Sequence, residues 1–593
     1  MEKIRVMDGV YWVEIPEEDL FVLCGCPADV VKHLMIRGLI LPRNKNGVAY
    51  ESGPNAILLS DVSIQKGQFA NLSEFPILQM LYRQGMLIPH HPNNKGKKPI
   101  MIGTANQIRA QSEYISRGNY GLKSKEEIIA TGIDEDVAEE VFKLKMKFAF
   151  NQIRPTDELI DFYPIISSHV ELPGGVVIRR TALNVFSFQY KGKSLTVDLN
   201  LGPGEEYKPA INLSYHSIKR EYFSIIHIGE GDGWDVMRPC MSSLITFQGK
   251  IYLIDTGPNI LNSLTSLGIG VNEIEGIFHT HAHDDHFAGL TSLIHSDHRI
   301  KYYAVPLVRA TVVKKLSSLM SISERRVHSS FVINDLEFNK WNNIDGLEVM
   351  PILSPHPVET SVMVFRSFWE GGHKTYAHLA DIPSLKVLED LLGSETKKSD
   401  TARQIYDTFK SCIMSRANLK KIDVGGGLIH GVAEDFLNDR SDKILLSHTA
   451  SNLTVSEKEI GSQASFGQED VLIDAYKDHF MQSAFHFLKE YFPRAPVHDL
   501  NMLHNCPIES FNAGAIMIKK GDRINYVFLI LNGVAEYIDA ERGISSKLST
   551  ASFLGEFSAI NNEPSPLTYR SVSYVKALKI PVDIYHEFIK RNF

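Results

Sequence analysis

The chain has 593 residues, 44% of them hydrophobic and 22% charged, with a formal net charge of -8. One hydrophobic core rarely supports that length, so three or four domains are expected. The acidic balance argues against a general nucleic-acid or anionic-membrane binder, although a local basic patch is compatible with it, and no apolar run is long enough to span a bilayer.

Met1-Glu2-Lys3-Ile4-Arg5 leads into alternating, strand-like sequence without an apolar signal core, so a cytoplasmic location is expected. Cys24, Cys26, Cys240, Cys412 and Cys506 form an odd, scattered set that fits neither a disulfide framework nor a paired zinc-ribbon spacing. Cys24-Gly25-Cys26-Pro27 has no second pair and reads as small apolar residues at a turn.

Residues 1–215 carry no motif that converts into a mechanism and read as a mixed α/β module. Val10-Tyr11-Trp12-Val13 and Phe21-Val22-Leu23 are strand-like, and Ala28 to Met35 has the spacing of an amphipathic helix. Phe75 to Met86 also reads as helical, as does Lys125 to Phe150, which follows Ser124 with acids early and lysines late. His90 to Lys98 is a loop, and adjacent His90 and His91 read as surface residues.

From Phe223 the pattern becomes strands joined by short turns: Phe223 to Ile228, Ser242 to Phe247 and Ile251 to Asp255, with Gln248-Gly249 as a hairpin turn. A further strand, around Ile274, Ile277 and Phe278, leads into His281-x-His283-x-Asp285-His286 before an apolar helical pattern resumes. Imidazoles two apart in an extended turn can grip one metal from the same side, while Asp285 and His286 on the first helical turn point toward a second. The competing reading is a polar helix start with Asp285 as its cap and the histidines in solvent.

This stretch resembles the metallo-β-lactamase-fold hydrolases, whose hallmark is a His-x-His-x-Asp-His sequence at a strand-to-helix turn. The resemblance implies an α/β fold, a metallo-β-lactamase αββα sandwich, over residues 216–465. It further implies two divalent metal ions, with zinc the default for His-rich ligation and iron or manganese the alternatives. By the same likeness, Asp255 lies beneath the metals and orients the histidine turn.

The remaining ligands are then expected at strand ends in the order His, Asp, His. His356, between Pro355 and Pro357 after the strand Val349 to Leu353, is the third ligand of the first metal beside His281 and His283. Asp381, after Tyr376 to Ala380, resembles the family's bridging carboxylate. His448, after Lys443 to Leu446, is the last ligand of the second metal, with His430 as its competitor. In ribonuclease Z-like members an upstream His donates a proton or touches phosphate, and by similarity that role goes to His430 in Asp423-Val424-Gly425-Gly426-Gly427-Leu428-Ile429-His430. Asp285, His430 and Asp255 are thus the residues expected to bear on catalysis. Helical sequence between Asp381 and Asp423 reads as an insertion able to cap the cleft. His279 is a candidate to support the histidine turn, while His295, His298 and His378 are set aside as surface or core residues.

Glu469 to Tyr491 reads as a helix within a connector, residues 466–497. Beyond it, residues 498–593 carry short strands broken by Gly521 and Gly533, the pattern of a small β-roll. These phrases resemble the cyclic-nucleotide-binding domain of catabolite-activator-type proteins. Gly555-Glu556 matches the start of the phosphate cassette, which would give Glu556 the ribose hydroxyl, but Ser565 falls where the family's phosphate-pairing arginine stands. The roll is therefore expected to be a degenerate sensor used for docking or dimerisation.

Together these features predict a dinuclear metal-dependent hydrolase acting on a small-molecule or nucleotide substrate, with phosphodiesters preferred, and leave a homo-oligomer open. The rival expectation is a non-hydrolytic diiron oxygen or redox sensor on the same fold, disfavoured because flavin-dependent relatives usually carry Glu where this chain has His283.

Overall fold

The computed structural model describes residues 1–294, 298–392 and 399–593, so that His295 lies outside the described residues. Two β-sheets lie face to face at its centre. One has seven strands in the order Val332–Asp335, Lys301–Ala304, Ile274–Phe278, Lys250–Ile254, Ser242–Phe247, Phe223–Gly229 and Glu469–Ile473. The other runs Asn342–Ile344, Leu347–Ser354, Thr360–Trp369, Gly372–Leu379, Leu419–Asp423 and Lys443–Ser447. Phe223–Gly229 and Ser242–Phe247 are buried at every position, which is why their sequences run apolar or small apart from His227, whose ring is paired with Asp470, and do not alternate. Gln248 and Gly249 both take positive φ, 51° and 81°, as a two-residue hairpin turn requires. Phe278 meets Phe365 edge-on across the two sheets at 5.0 Å between ring centroids.

Helices cover both outer faces. Pro306–Met320 turns Val308, Val312 and Leu316 onto the first sheet. Asp400–Ile413 lays Tyr406, Phe409 and Ile413 against Ile352, Val362 and Val364 of the second. The helical sequence after Asp381, expected to cap the cleft, therefore belongs to this outer layer. Among the described residues, the apolar stripe of Asp400–Ile413 faces the sheet and not the cleft.

The N-terminal region builds a six-stranded sheet from Glu2–Met7 to Asp161–Pro164 and a four-stranded antiparallel sheet from His169–Leu172 to Lys193–Asp198. The two share a core that includes Val22, Leu58, Phe186 and Phe188. The stretch read as one helix from Lys125 to Phe150 breaks into Lys125–Ile129 and Glu135–Phe148, because the chain turns through Gly132 at φ 91°. These helices and Ala105–Tyr120 send Tyr114, Ile128 and Ala138 into the central core, joined by Leu122 from the connection between them.

Glu469 to Tyr491 is also not one helix. Glu469–Ile473 pairs antiparallel with Phe223–Gly229 as an edge strand of the first central sheet, and only His479–Tyr491 is helical. The β-branched residues Val471 and Ile473 favour the strand, and the Asp478 carboxylate accepts from the amides of Phe480 and Met481 to start the helix. Beyond it, two four-stranded sheets form the roll, against which His479–Tyr491, Val497–His504 and Val582–Asn592 pack through Phe480, Leu488, Leu503, Tyr585 and Phe588. The roll is seated on the turn before Ile274–Phe278, where Thr550 Oγ1 donates to Glu273 at 2.6 Å and Asn532 to the Gly268 carbonyl. Among the described residues no helix is long and apolar enough to cross a membrane.

Candidate metal centre

Six strands of the two sheets deliver their C-terminal ends to one edge of the sandwich, each with a His or Asp at its last position or within the next two residues. Lys250–Ile254 leads to Asp255, Ile274–Phe278 to the turn His279–His286, and Leu347–Ser354 to His356. Gly372–Leu379 leads to Asp381, Leu419–Asp423 ends in Asp423, and Lys443–Ser447 leads to His448. Asp255 and His448 are held at positive φ, 61° and 58°, a left-handed conformation that non-glycine residues rarely adopt outside constrained sites.

Asp381 stands in the middle, 1% exposed. Its Oδ2 lies 3.4 Å from His281 Nε2 and 3.5 Å from His356 Nε2, and His356 Nε2 is 3.2 Å from His283 Nδ1. Its Oδ1 faces a different trio, 3.2 Å from His286 Nε2 and 3.5 Å from His448 Nε2, with Asp285 Oδ2 3.1 Å from His448 Nε2. Ligands at about 2.0–2.1 Å from a tetrahedral zinc lie about 3.3 Å from one another, so both groups have the spacing of a metal's donor shell. His281 Nε2, His286 Nε2 and Asp381 Oδ1 are fully buried without a hydrogen-bond partner among the described residues. Buried polar atoms left that way are costly unless something else satisfies them, and the donor set fits two divalent cations sharing Asp381. All seven side chains expected from the sequence as ligands are brought together.

A layer of carboxylates holds these imidazoles from behind. His286 Nδ1 donates to Asp255 Oδ2 at 2.9 Å, and Asp255 also accepts from the Thr280 amide at 2.7 Å and its hydroxyl at 2.6 Å. Burial by itself would raise the Asp255 pKa, but the hydrogen bond and charge of His286 outweigh it and hold the carboxyl down at about 2. The same arrangement recurs at Asp423, which the sequence reading passed over. Its Oδ2 accepts from His430 Nδ1 at 3.0 Å, and its Oδ1 lies 3.4 Å from His448 Nδ1. The signal that could have found it is the one that located Asp255 and Asp381, a carboxylate at the last position of an apolar strand. The His448 amide donates to the Glu230 carbonyl at 2.8 Å, while the Glu230 carboxylate pairs with Lys421 at 2.8 Å in the buried space beneath.

The two donor groups differ electrostatically. Burial and neighbouring imidazoles hold His281, His283 and His356 below the ordinary histidine value, His356 at about 3. For His286 and His448 burial acts in the same direction, but Asp381 and the other carboxylates override it, raising His448 and pushing His286 up to about 10.

His430 sits beside both groups, its ring 4.7 Å from that of His448 and 5.9 Å from that of His356. Its side chain is 21% exposed, and Asp423 raises its pKa against the effect of burial. His279 is fully buried between Phe287 and Tyr302 and makes no hydrogen bond to the ligand turn among the described residues. His378 is a core residue bonded to Tyr376 Oη at 2.8 Å, and His298 contacts the Ile274 carbonyl at 3.2 Å. His90 is exposed, and His91 packs edge-on against Tyr50. In the roll, Glu556 accepts from the hydroxyl of Tyr585, and Ser565, 2% exposed, donates to the Leu567 carbonyl at 2.7 Å.

Comparison with known proteins gives two separate family matches. Residues 223–359 match the family described as Anti-Pycsar protein Apyc1, and residues 508–592 match the cyclic nucleotide-binding domain. Among curated proteins, a ribonuclease Z of Thermoplasma acidophilum is 25% identical over 138 residues, 23% of this chain and 45% of that protein. A ribonuclease Z of Mycolicibacterium gilvum is 33% identical over 60 residues, 10% of this chain and 21% of that protein. This chain thus spans less than half the length of the curated relatives it matches. The two central sheets form a sandwich with helices on its outer faces and the His and Asp clusters at one edge. Among solved structures, the metallo-β-lactamase fold protein YhfI from Bacillus subtilis aligns with 42% of this chain and 99% of its own, at 13% identity and a TM-score of 0.32. A diphosphatase of the PhnP family aligns with 43% of this chain and 98% of its own, at 14% identity and a TM-score of 0.31. The central sandwich and the C-terminal β-roll are two parts of one chain that meet at Glu273.

Proposed function

We propose that this chain is a metal-dependent hydrolase of phosphodiesters, with a cyclic or other nucleotide as the favoured substrate. The observation that carries the reading is the placement of the two Asp381 oxygens, each 3.2–3.5 Å from the imidazoles of a different donor group. His281, His283 and His356 would hold one divalent cation, and Asp285, His286 and His448 a second, with Asp381 between them and zinc the preferred ion. Two such cations supply Lewis acidity and a water nucleophile active near neutral pH.

The chain's own residues do the rest. Asp255 and Asp423 fix the tautomer and orientation of His286, His430 and His448. His430, protonated through Asp423 and partly open to solvent, is the proton donor to the leaving oxygen. Likeness to two ribonucleases supports a phosphodiester over other electrophiles.

The roll, in this reading, is a sensor-like domain given over to docking. Its Glu556 is engaged by Tyr585, its Ser565 hydroxyl is spent on its own turn, and Arg570 lies 3.5 Å from Glu536. A neutral serine cannot replace the bidentate grip of a guanidinium on a phosphate.

The test is to load the purified full chain with zinc, manganese or iron and offer it a panel of linear and cyclic phosphodiesters. Metal-dependent turnover that His283→Ala abolishes is expected. Turnover of thioesters with none of any phosphodiester would overturn the substrate class.

A further inference from the structure

Asp284, between ligands His283 and Asp285, does not face the donor groups. Its Oδ1 accepts from the hydroxyl of Tyr114 at 2.5 Å and from Lys315 Nζ at 2.8 Å, and its amide donates to Glu74 Oε1 at 3.1 Å. Lys315 also donates to the Ala282 carbonyl at 2.6 Å and lies 2.6 Å from Glu74 Oε2. Glu74, Tyr114 and Lys315 are each fully buried, and Gly118 is packed so close to Glu74 that a Cβ there would lie 1.5 Å from its Oε2. Glu74 and Tyr114 come from the N-terminal region, whereas Asp284 and Lys315 belong to the central sandwich.

A second brace reaches the other ligand loop. Glu359, three residues after His356, is buried against Lys145, and its Oε2 accepts from the Leu122 amide at 3.0 Å and from Thr311 Oγ1 at 2.5 Å. Lys145 also donates to the carbonyls of Tyr120 and Leu122 at 2.6 and 2.8 Å, which ties the helix Glu135–Phe148 to the end of Ala105–Tyr120. Gly121, at φ 60°, leaves the space that Glu359 enters, since a Cβ there would meet Glu359 Oε2 at 2.0 Å. The loops that carry His283, Asp285 and His356 are therefore both tied to residues 74–145.

We infer that Glu74, Tyr114 and Lys145 of the N-terminal region are positioning residues of the metal centre. Tyr114 and Glu74 fix the turn between His283 and Asp285, and Lys145 fixes the turn that presents His356. The inference rests on the reading of Asp381 and its neighbours as a metal site, and it gives the first 215 residues a task that no motif in them announces. Each tie is satisfied only by a specific group at the end of a side chain, and a buried hydrogen-bond network with one member missing is worse than none.

The test compares Tyr114→Phe, Glu74→Gln and the control Ile57→Val in the full chain. Ile57 lies in the N-terminal core and reaches neither ligand loop. Zinc affinity is measured by competition with a chromophoric chelator, alongside kcat and KM and the melting of the metal-free protein. Tyr114→Phe is expected to weaken zinc binding roughly 10–100-fold, the usual effect of losing a group that orients a ligand, and to lower kcat at unchanged KM. Ile57→Val is expected to lower the melting temperature without changing zinc affinity. Glu74→Gln, which keeps the shape and the acceptor of the Asp284 amide, is expected to fall between them and guards against a misfolded Tyr114→Phe. A folded Tyr114→Phe or Glu74→Gln that binds zinc as wild type does, or a control that loses affinity equally, would overturn the inference. Failure of the wild-type chain to bind zinc, manganese or iron in the same titration would instead remove the hydrolase reading on which it stands.

Discussion

Asp423 Oδ2 lies 3.0 Å from His430 Nδ1 at the mouth of the metal centre, and its other oxygen reaches toward His448. The pair has the geometry of a carboxylate holding an imidazolium ready to give up its far proton. Burial alone would make His430 a weaker base, and Asp423 reverses that effect.

A pH dependence follows with a definite sign. As a proton donor His430 must be protonated, so kcat should fall as pH rises through its pKa, which lies above the ordinary histidine value of about 6.5. In Asp423→Asn the support for the charged form is gone and the falling limb should begin at lower pH. Pre-steady-state rates between pH 5 and 10 check this, and an unmoved limb would assign His430 another role.

Metal uptake should release protons unequally from the two donor groups. His281, His283 and His356 lie below the ordinary histidine value, whereas His286, at about 10, carries a proton at pH 8 that a cation must displace, and carboxylates raise His448 as well. Release of at least one proton per chain is therefore expected on loading at pH 8, counted with an indicator dye in weak buffer. On acidification, the cation held by Asp285, His286 and His448 should be lost first. Elemental analysis of the same sample bears on metal identity, and iron with oxygen-dependent absorption would favour a redox sensor over a hydrolase.

Gly257 marks where the backbone of the site admits no side chain. A Cβ there would lie 2.5 Å from the Asp285 carbonyl and 3.1 Å from Cys240 Cβ. Gly257→Ala should displace the Asp285 turn, costing about 1–3 kcal/mol of stability as overpacking does and lowering metal affinity as well. Thermal unfolding with and without zinc separates the two effects.

Glu273 is buried between sandwich and roll, paired with Arg220 and accepting from Thr550 and the amides of Gly270 and Gly533. Glu273→Gln leaves the Arg220 charge without its partner, and breaking a buried pair from one side costs about 3–5 kcal/mol. The variant should unfold in two steps where wild type unfolds in one, with the roll cleaved first by protease. A single unshifted transition would show that the seam is held by apolar contacts alone.

The candidate ligands His356, Asp381 and His448 stand out in the sequence because each follows an apolar strand, where a His or Asp has no packing role to explain it. The family resemblance supplied the expected order His, Asp, His at strand ends, whereas Asp423, also at a strand end, had no role in that expectation. Strand Glu469–Ile473 was misread because five residues of edge strand beside a true helix offer too little periodicity to separate them. The braces from Glu74, Tyr114 and Lys145 were invisible for a different reason. A buried Tyr or Lys on a helix looks like any amphipathic position until the carboxylate it meets, 170 or 214 residues away, is in view.

The strand Ile274–Phe278 has Glu273 at its root under the roll and the histidine turn at its tip, a span of five residues or about 17 Å. Cutting the chain between the two folds would bare a desolvated acid on one fragment and strip the other of the surface it rests on. An unrelated roll put in place of this one would need a different turn before that strand, since Glu273 and the Gly268 carbonyl are partnered by Thr550, Gly533 and Asn532.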